Sequence, residues 1–300
     1  IPGGRAEYAV QARRNGNEFA GTYAGRFLES PVEGPVRGFI REHLGRPLPG
    51  FRPLGEQEHP RLILRKQDMP ELKRRMETPE GKAIVAMLAA APVRGVEQVD
   101  DRRSSWIAAN WGAVYQLTGD REAAEKARRI LVDEVVRKPM PVDRADIHLA
   151  TRVLGIALAF DMCYEAWDDE FRGLLAEYLY YAMLGLHAGY VEGLVMEDIR
   201  DEAWSHRNAI RMAAVGCAAI ALMGEQGLGG AIDADARKMV VLARRHVVRY
   251  LQLGLGPSGW CVEGDFYKKL TLANGVLQFL HAARQALGLL RDLVTVSPAQ

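Results

Sequence analysis

The densest set of residues able to do chemistry lies in "GPSGWCVEGDFYKKLTLANG", residues 256–275. Pro257 and Gly259 break the chain, Trp260 and Cys261 follow, and Glu263, Asp265 and Tyr267 crowd against Lys268 and Lys269. A tyrosine has an ordinary pKa near ~10, and adjacent cations favour its phenolate. A phenolate can act as a general base, and the phenol it becomes can act as an acid. The same residues also fit a plainer reading, an amphipathic tyrosine that anchors a loop while both lysines stay in water. Glu263 and Asp265 fit either a hydrolytic carboxylate pair or two solvated loop acids.

A second set is "DIRDEAWSHRNAIRMAAVG", residues 198–216. Ser205 is suited to an N-cap, which puts His206, Arg207 and Asn208 in the first turn of an apolar helix. The positive end of the helix dipole there favours a neutral imidazole, able to accept a proton or a hydrogen bond. Arg207 or Arg211 could hold an anion. Alternatively, His206 and Asn208 only cap the helix and satisfy its backbone. His148 and His187 lie in apolar helical runs and read as core residues, as do Trp106, Trp111 and Tyr115 at helical spacing. The "DDR" at 100–102 and "DEAW" at 201–204 read as turns and caps. No CxxC or HExxH spacing suggests a metal, and Cys163 and Cys217 sit in apolar surroundings as buried thiols.

The elements that must position these residues are helices. Residues 1–58 are rich in Gly, Pro and Arg and read as an irregular arm with one helix near 36–44; no segment shows convincing strand alternation. From His59 the pattern is helix after helix, with a break at Pro79 and further helices near 106–117, 120–137, 146–164, 168–189, 205–223, 233–253 and 270–291. Apolar helices rich in small residues (106–117, 148–162, 205–223) alternate with amphipathic ones that carry a charged face. Buried helices covered by amphipathic neighbours imply consecutive hairpins, inner then outer, wound about an axis. The expected class is therefore all-α, an α/α toroid over residues 59–300. In such a toroid, the loops entering the inner helices border a central cleft.

The bulk numbers exclude little else. Of 300 residues 48% are hydrophobic and 26% charged, with a net charge of +1, so neither nucleic acid nor a membrane surface is favoured as a partner. A local basic cleft for a polyanion fits within that neutral total. The longest apolar run, 213–223, is too short to span a bilayer.

Several segments, taken in order, resemble the helical domain of heparinase II/III-like polysaccharide lyases. "HPRLILRKQDMPELKRRM" (59–76) is similar to the opening of that domain. "YQLTGDREAAEKARRIL" and "ALAFDMCYEAWDDEFR" are similar to the hairpins that follow. "WSHRNAIRMAAVGCAAIALMGE" resembles the inner helix where His and Asn flank substrate, and "GPSGWCVEGDFYKKLTLANGVLQFL" the segment that carries the catalytic tyrosine. The chain departs from the family pattern at Ser258, where an Asp usually precedes the glycine, and in "SHRN" itself.

The resemblance implies β-elimination in a uronic-acid-containing polysaccharide, with no cofactor and no metal. It implies Tyr267 and His206 as the catalytic residues, with Asn208, Arg207, Glu263 and Trp260 in substrate binding. Asn208 and His206 would neutralise the uronate carboxylate, or His206 would act as base for one epimer. It further implies a periplasmic or secreted protein and a C-terminal β-sandwich beyond Gln300. A toroid cut before its last hairpins should expose apolar surface past the helix ending near Leu293 and self-associate. Two other readings remain open: a glycoside hydrolase pairing Glu263 or Asp265 with Asp198 or Asp201, and a non-catalytic glycan-binding module.

Overall fold

The computed structural model of the chain describes residues 7–15, 18–27, 30–39, 51–55, 57–90, 101–133, 147–192, 204–255 and 259–288. It divides at Arg46/Pro47 into two units.

The first unit corrects the expectation of an irregular arm. Three strands, β1 (Glu7–Asn15), β2 (Glu18–Phe27) and β3 (Ser30–Phe39), form an antiparallel sheet in the order β1-β2-β3. The register runs from Glu7 opposite Arg26 to Asn15 opposite Glu18, and from Phe27 opposite Ser30 to Glu18 opposite Phe39. Pro31 and Pro35 both fall on β3, an edge strand, where a missing N–H need not break a ladder. Of the helix expected near 36–44, residues 36–39 are strand, and the rest lies outside the described residues.

The second unit is helical. α1 (Met69–Met76) and α2 (Pro79–Ala89) are separated as expected at Pro79, which opens α2 behind Thr78. The Thr78 hydroxyl accepts the Gly81 N–H, and a proline at the first helical position removes a donor that had no partner. α3 (Asp101–Thr118) ends at Gly119, whose φ of +77° suits a residue without a Cβ. It absorbs Asp101 and Arg102, expected in a turn. Asp120 caps α4 (Arg121–Leu131) through the Glu122 N–H.

α5 (Ile147–Cys163) and α7 (His206–Leu222) are the inner helices. Every residue of α5 from Leu149 onward is buried, and every residue of α7 except Arg207. α3 packs on α5, α5 on α7, and α7 on α10 (Leu277–Leu287). α6 (Asp169–Glu192) and α8 (Ala231–Tyr250) lie against α7, and α4 against α3. α8 shows how an outer helix is built: Ile232, Ala236, Val240, Ala243, Val247 and Tyr250 form one buried stripe at steps of three and four, and charge takes the other face. Small residues bring the inner helices close. A Cβ at Gly216 of α7 would lie 2.2 Å from the Phe279 ring of α10. His148 does not join this core; it is exposed, and His187 is half-buried.

Residues 51–55 and 57–65 strap onto the helices, so the helical unit takes in residues that the sequence assigns to the arm. Buried Asp161, in the last turn of apolar α5, accepts the backbone N–H groups of Arg61 and Leu62 and the Nδ1 proton of His59 at 2.7–2.9 Å. The His59 ring stacks on Tyr164 at 3.9 Å. Arg65 pairs with Glu58 and donates to the carbonyls of Arg52 and of Gln285 in α10. A carboxylate buried in an apolar helix needs such donors, and the strap supplies them.

All three cysteines are buried free thiols, and burial pushes the Cys163 and Cys217 thiols up. Among the described residues no single helix is long and apolar enough to cross a membrane, and no cluster of His, Cys, Asp and Glu is arranged to hold a metal.

Candidate functional site

The site forms where the N-terminus of α7 meets the loop that follows α8. Ser205 is the N-cap of α7, and its hydroxyl accepts the Arg207 N–H at 3.3 Å. His206 is therefore the first helical residue, where a backbone N–H has no partner inside the helix. Glu263 supplies one. One oxygen of its carboxylate accepts the His206 N–H at 2.6 Å, and the other meets Nδ1 of the His206 ring at 2.7 Å. The negative charge also lies at the positive end of the α7 dipole.

The loop is shaped to deliver that carboxylate. α8 runs out through a π-type turn, Leu251–Leu255. The Val262 N–H then donates back to the Gly254 carbonyl, and the Gly264 N–H to that of Cys261. Cys261 faces inward, buried 4.0 Å from the Tyr250 hydroxyl, while Trp260 and Val262 on either side face out. Gly264, at a φ of +92°, turns the chain directly into α9 (Asp265–Thr271). α9 does not begin a straight helix as expected. A second π-type turn, Leu272–Val276, separates it from α10, with Gly275 against Ala213 of α7. Irregular turns of this kind concentrate at functional sites, and here two of them flank one loop.

α9 brings Tyr267 onto His206. The two rings lie 4.4 Å apart between centroids, tilted by 34°. Tyr267 is 38% exposed, whereas the His206 side chain is only 9% exposed. Residues 61 positions apart in sequence thus share one rim. Phe266, which the sequence did not single out, meets Tyr267 edge-on at 5.4 Å and is exposed, as is Trp260 at 69%. Trp204, just before the N-cap Ser205, and Leu253, in the π-type turn after α8, are exposed as well.

The remaining sequence candidates are placed as follows. Lys268 is bonded to Asp265 at 2.6 Å rather than left as a bare cation beside Tyr267, and Lys269 is exposed. Arg207 is half-buried on the first turn of α7. Asn208 and Arg211 are buried, with the Asn208 amide oxygen accepting from Arg211 at 3.4 Å. Asn208 lies on the same first turn of α7, two residues after His206. Asp198 and Asp201 lie outside the described residues.

Chemically, the rim presents an imidazole braced by a carboxylate, a phenol against its face, and exposed aromatic surface alongside. No family model and no curated protein matches the chain.

Proposed function

We propose that this rim is the active site of a lyase that cleaves a uronic-acid-containing polysaccharide by β-elimination. The observation that carries the reading is the His206–Tyr267 ring contact, with His206 braced on Glu263. Elimination needs a base for the proton at C5 of the uronate and an acid for the departing oxygen at C4. An imidazole and a phenol in contact at a partly exposed edge are suited to those two roles.

In the proposed step His206 takes the C5 proton. The C–H electron pair becomes the C4–C5 double bond, the C4–O bond breaks, and the Tyr267 hydroxyl protonates the leaving sugar. Solvent then returns a proton to the phenolate and removes one from the imidazolium. Arg207 and Asn208 are the candidates for neutralising the uronate carboxylate, without which the C5 proton is too weakly acidic. Trp260 offers a face for a sugar ring. We propose further that the row α3–α5–α7–α10 with its outer helices is part of an α/α toroid, which puts the rim on a central cleft. A periplasmic or secreted location and a following β-sandwich domain belong to the same proposal.

Engagement of the loop carboxylates favours elimination over hydrolysis. Glu263 is bonded twice to His206, and Asp265 to Lys268, so neither is presented as the free acid of a glycosidase pair. The test is incubation with heparin, chondroitin sulfate and alginate, following ultraviolet absorbance of the conjugated unsaturated uronate. Elimination generates that chromophore and hydrolysis does not. New reducing ends without absorbance would favour a hydrolase, and binding without any cleavage a glycan-binding module.

A further inference from the structure

We infer that Glu263 is a positioning residue: it fixes His206 in the tautomer that carries its proton on Nδ1 and so presents Nε2 as a bare acceptor. An ionised carboxylate only accepts hydrogen bonds. Both of its oxygens are occupied by His206, one by the backbone N–H at 2.6 Å and one at Nδ1 at 2.7 Å. The proton of the second bond therefore sits on Nδ1. Nε2 makes no hydrogen bond to any described residue, so it is left to the ligand.

The catalytic part of this inference rests on the elimination reading, and it chooses between the two roles that His206 could play there. Neutralising a uronate carboxylate needs a donor, and the Nδ1–H tautomer has none at Nε2. Taking the C5 proton needs an acceptor, which it has. The imidazolium formed on proton transfer stays paired with Glu263, so charge develops next to a counter-ion already in place. The same carboxylate ties helix α7 to the loop that leads into α9 and Tyr267, so one side chain sets both the tautomer and the spacing of base and acid. A residue held only for capping would not need its second oxygen on the ring.

Glu263→Gln separates the two roles, because an amide has one acceptor and one donor end. The backbone N–H of His206 can be bonded only by the amide oxygen. The amide NH₂ is then left facing Nδ1, which must become the acceptor, and the ring proton moves to Nε2. The cap survives while the tautomer flips. Glu263→Asp keeps two acceptor oxygens on a shorter arm and should keep the tautomer.

The experiment is NMR on the full chain with ¹⁵N-imidazole-labelled histidine near neutral pH, assigning His206 by its loss in His206→Gln. The expected spectrum has the proton on Nδ1 in wild type and in Glu263→Asp, and on Nε2 in Glu263→Gln. With the polyuronate that wild type cleaves, Glu263→Gln should lose roughly 10²–10⁴-fold in kcat with little change in KM, and Glu263→Asp should recover part of it. A wild-type ring protonated on Nε2 or on both nitrogens, or an unchanged tautomer in Glu263→Gln, overturns the inference. The expected tautomers in a protein that cleaves no polyuronate would support the assignment and overturn the elimination reading alone.

Discussion

Among the described residues, two histidine–carboxylate pairs share the same length, and they are built for opposite ends. His59 meets Asp161 at 2.7 Å, and His206 meets Glu263 at 2.7 Å. In the first pair the side chains are 1% and 0% exposed; in the second they are 9% and 13% exposed. Asp161 also takes two backbone N–H groups from the strap, and aromatic rings of Phe160 and Tyr164 close over His59. Among the described residues Glu263 takes only the groups of His206, whose ring leans on a partly exposed tyrosine. A hydrogen bond of given geometry thus says little about role. What surrounds its remaining lone pairs and faces decides whether it welds two segments together or holds a ring ready.

The largest effect that can break this contrast is Asp161→Ala. It leaves the His59 ring and the Arg61 and Leu62 N–H groups without their acceptor in a dry interior. The expected cost is about 3–5 kcal/mol, read as a drop in the urea midpoint. Glu263→Ala removes a partly exposed helix cap and should cost only about 0.5–2 kcal/mol. Equal losses in the two variants would mean that both pairs are structural.

Tyr267→Phe tests the open pair through its neighbour. One oxygen is lost while the ring contact with His206 is kept, so the melting temperature should barely move. Turnover on the best polyuronate should fall roughly 10²–10⁴-fold. Affinity should change little, because the hydroxyl acts mainly in the transition state. Wild-type turnover in the Phe variant would return Tyr267 to the role of loop anchor.

Acid probes the closed pair more gently. Burial holds the His59 imidazole below its ordinary 6.5 despite Asp161, because its Nε2 is enclosed with no partner among the described residues. Burial also lowers His187, and burial together with Arg245, His187 and Arg249 brings His246 down to about 4. These groups bind protons more readily in the unfolded chain. Their effect on stability is therefore nil above the unfolded value. As pH falls below 6.5 the unfolded chain gains protons first and stability declines, for His246 down to about 4. Thermal melts across that range should show a fall of roughly a few degrees. His246→Asn should flatten part of the slope, and an unchanged slope would remove His246 from the account.

What was legible in the sequence follows from how local each signal is. Most of the helices are legible, because stripes such as Ile232–Tyr250 repeat within one segment and Ser205, Asp120 and Thr78 mark their starts; the early start of α3 at Asp101 and the break of 270–291 at Leu272–Val276 are not. His206 and Tyr267 were singled out because each stands at a helix entrance beside other polar groups, a local feature too. Their partners were not legible. Asp161 is 102 positions from His59, and an acid inside the apolar run "LAFDMC" was the one signal that something must solvate it. Glu263 resembled any loop acid until α7 was placed beside it. The sheet escaped because its strands mix glycine, proline and arginine, and Phe19, Tyr23 and Phe27 at steps of four fit a helix as well as a strand.

The smallest effect concerns Trp260, which lies three residues before Glu263 with most of its indole in water. An exposed aromatic adds little to folding, so Trp260→Ala should shift stability by no more than about 0.5 kcal/mol. If its face carries a sugar ring beside the open pair, the variant loses a stacking contact of about 0.5–1.5 kcal/mol, or roughly 2- to 10-fold in affinity. Sugars stacked there lie away from the bond that breaks, so substrate and transition state are held equally and KM should rise while kcat stays. Phe266, more exposed still, is the internal control, because it packs edge-on to Tyr267. Phe266→Ala should disturb the phenol and lower kcat instead. If neither variant changes oligosaccharide binding by titration calorimetry, the aromatic rim is not a sugar platform, and the ligand of the His206–Tyr267 site must approach from another side.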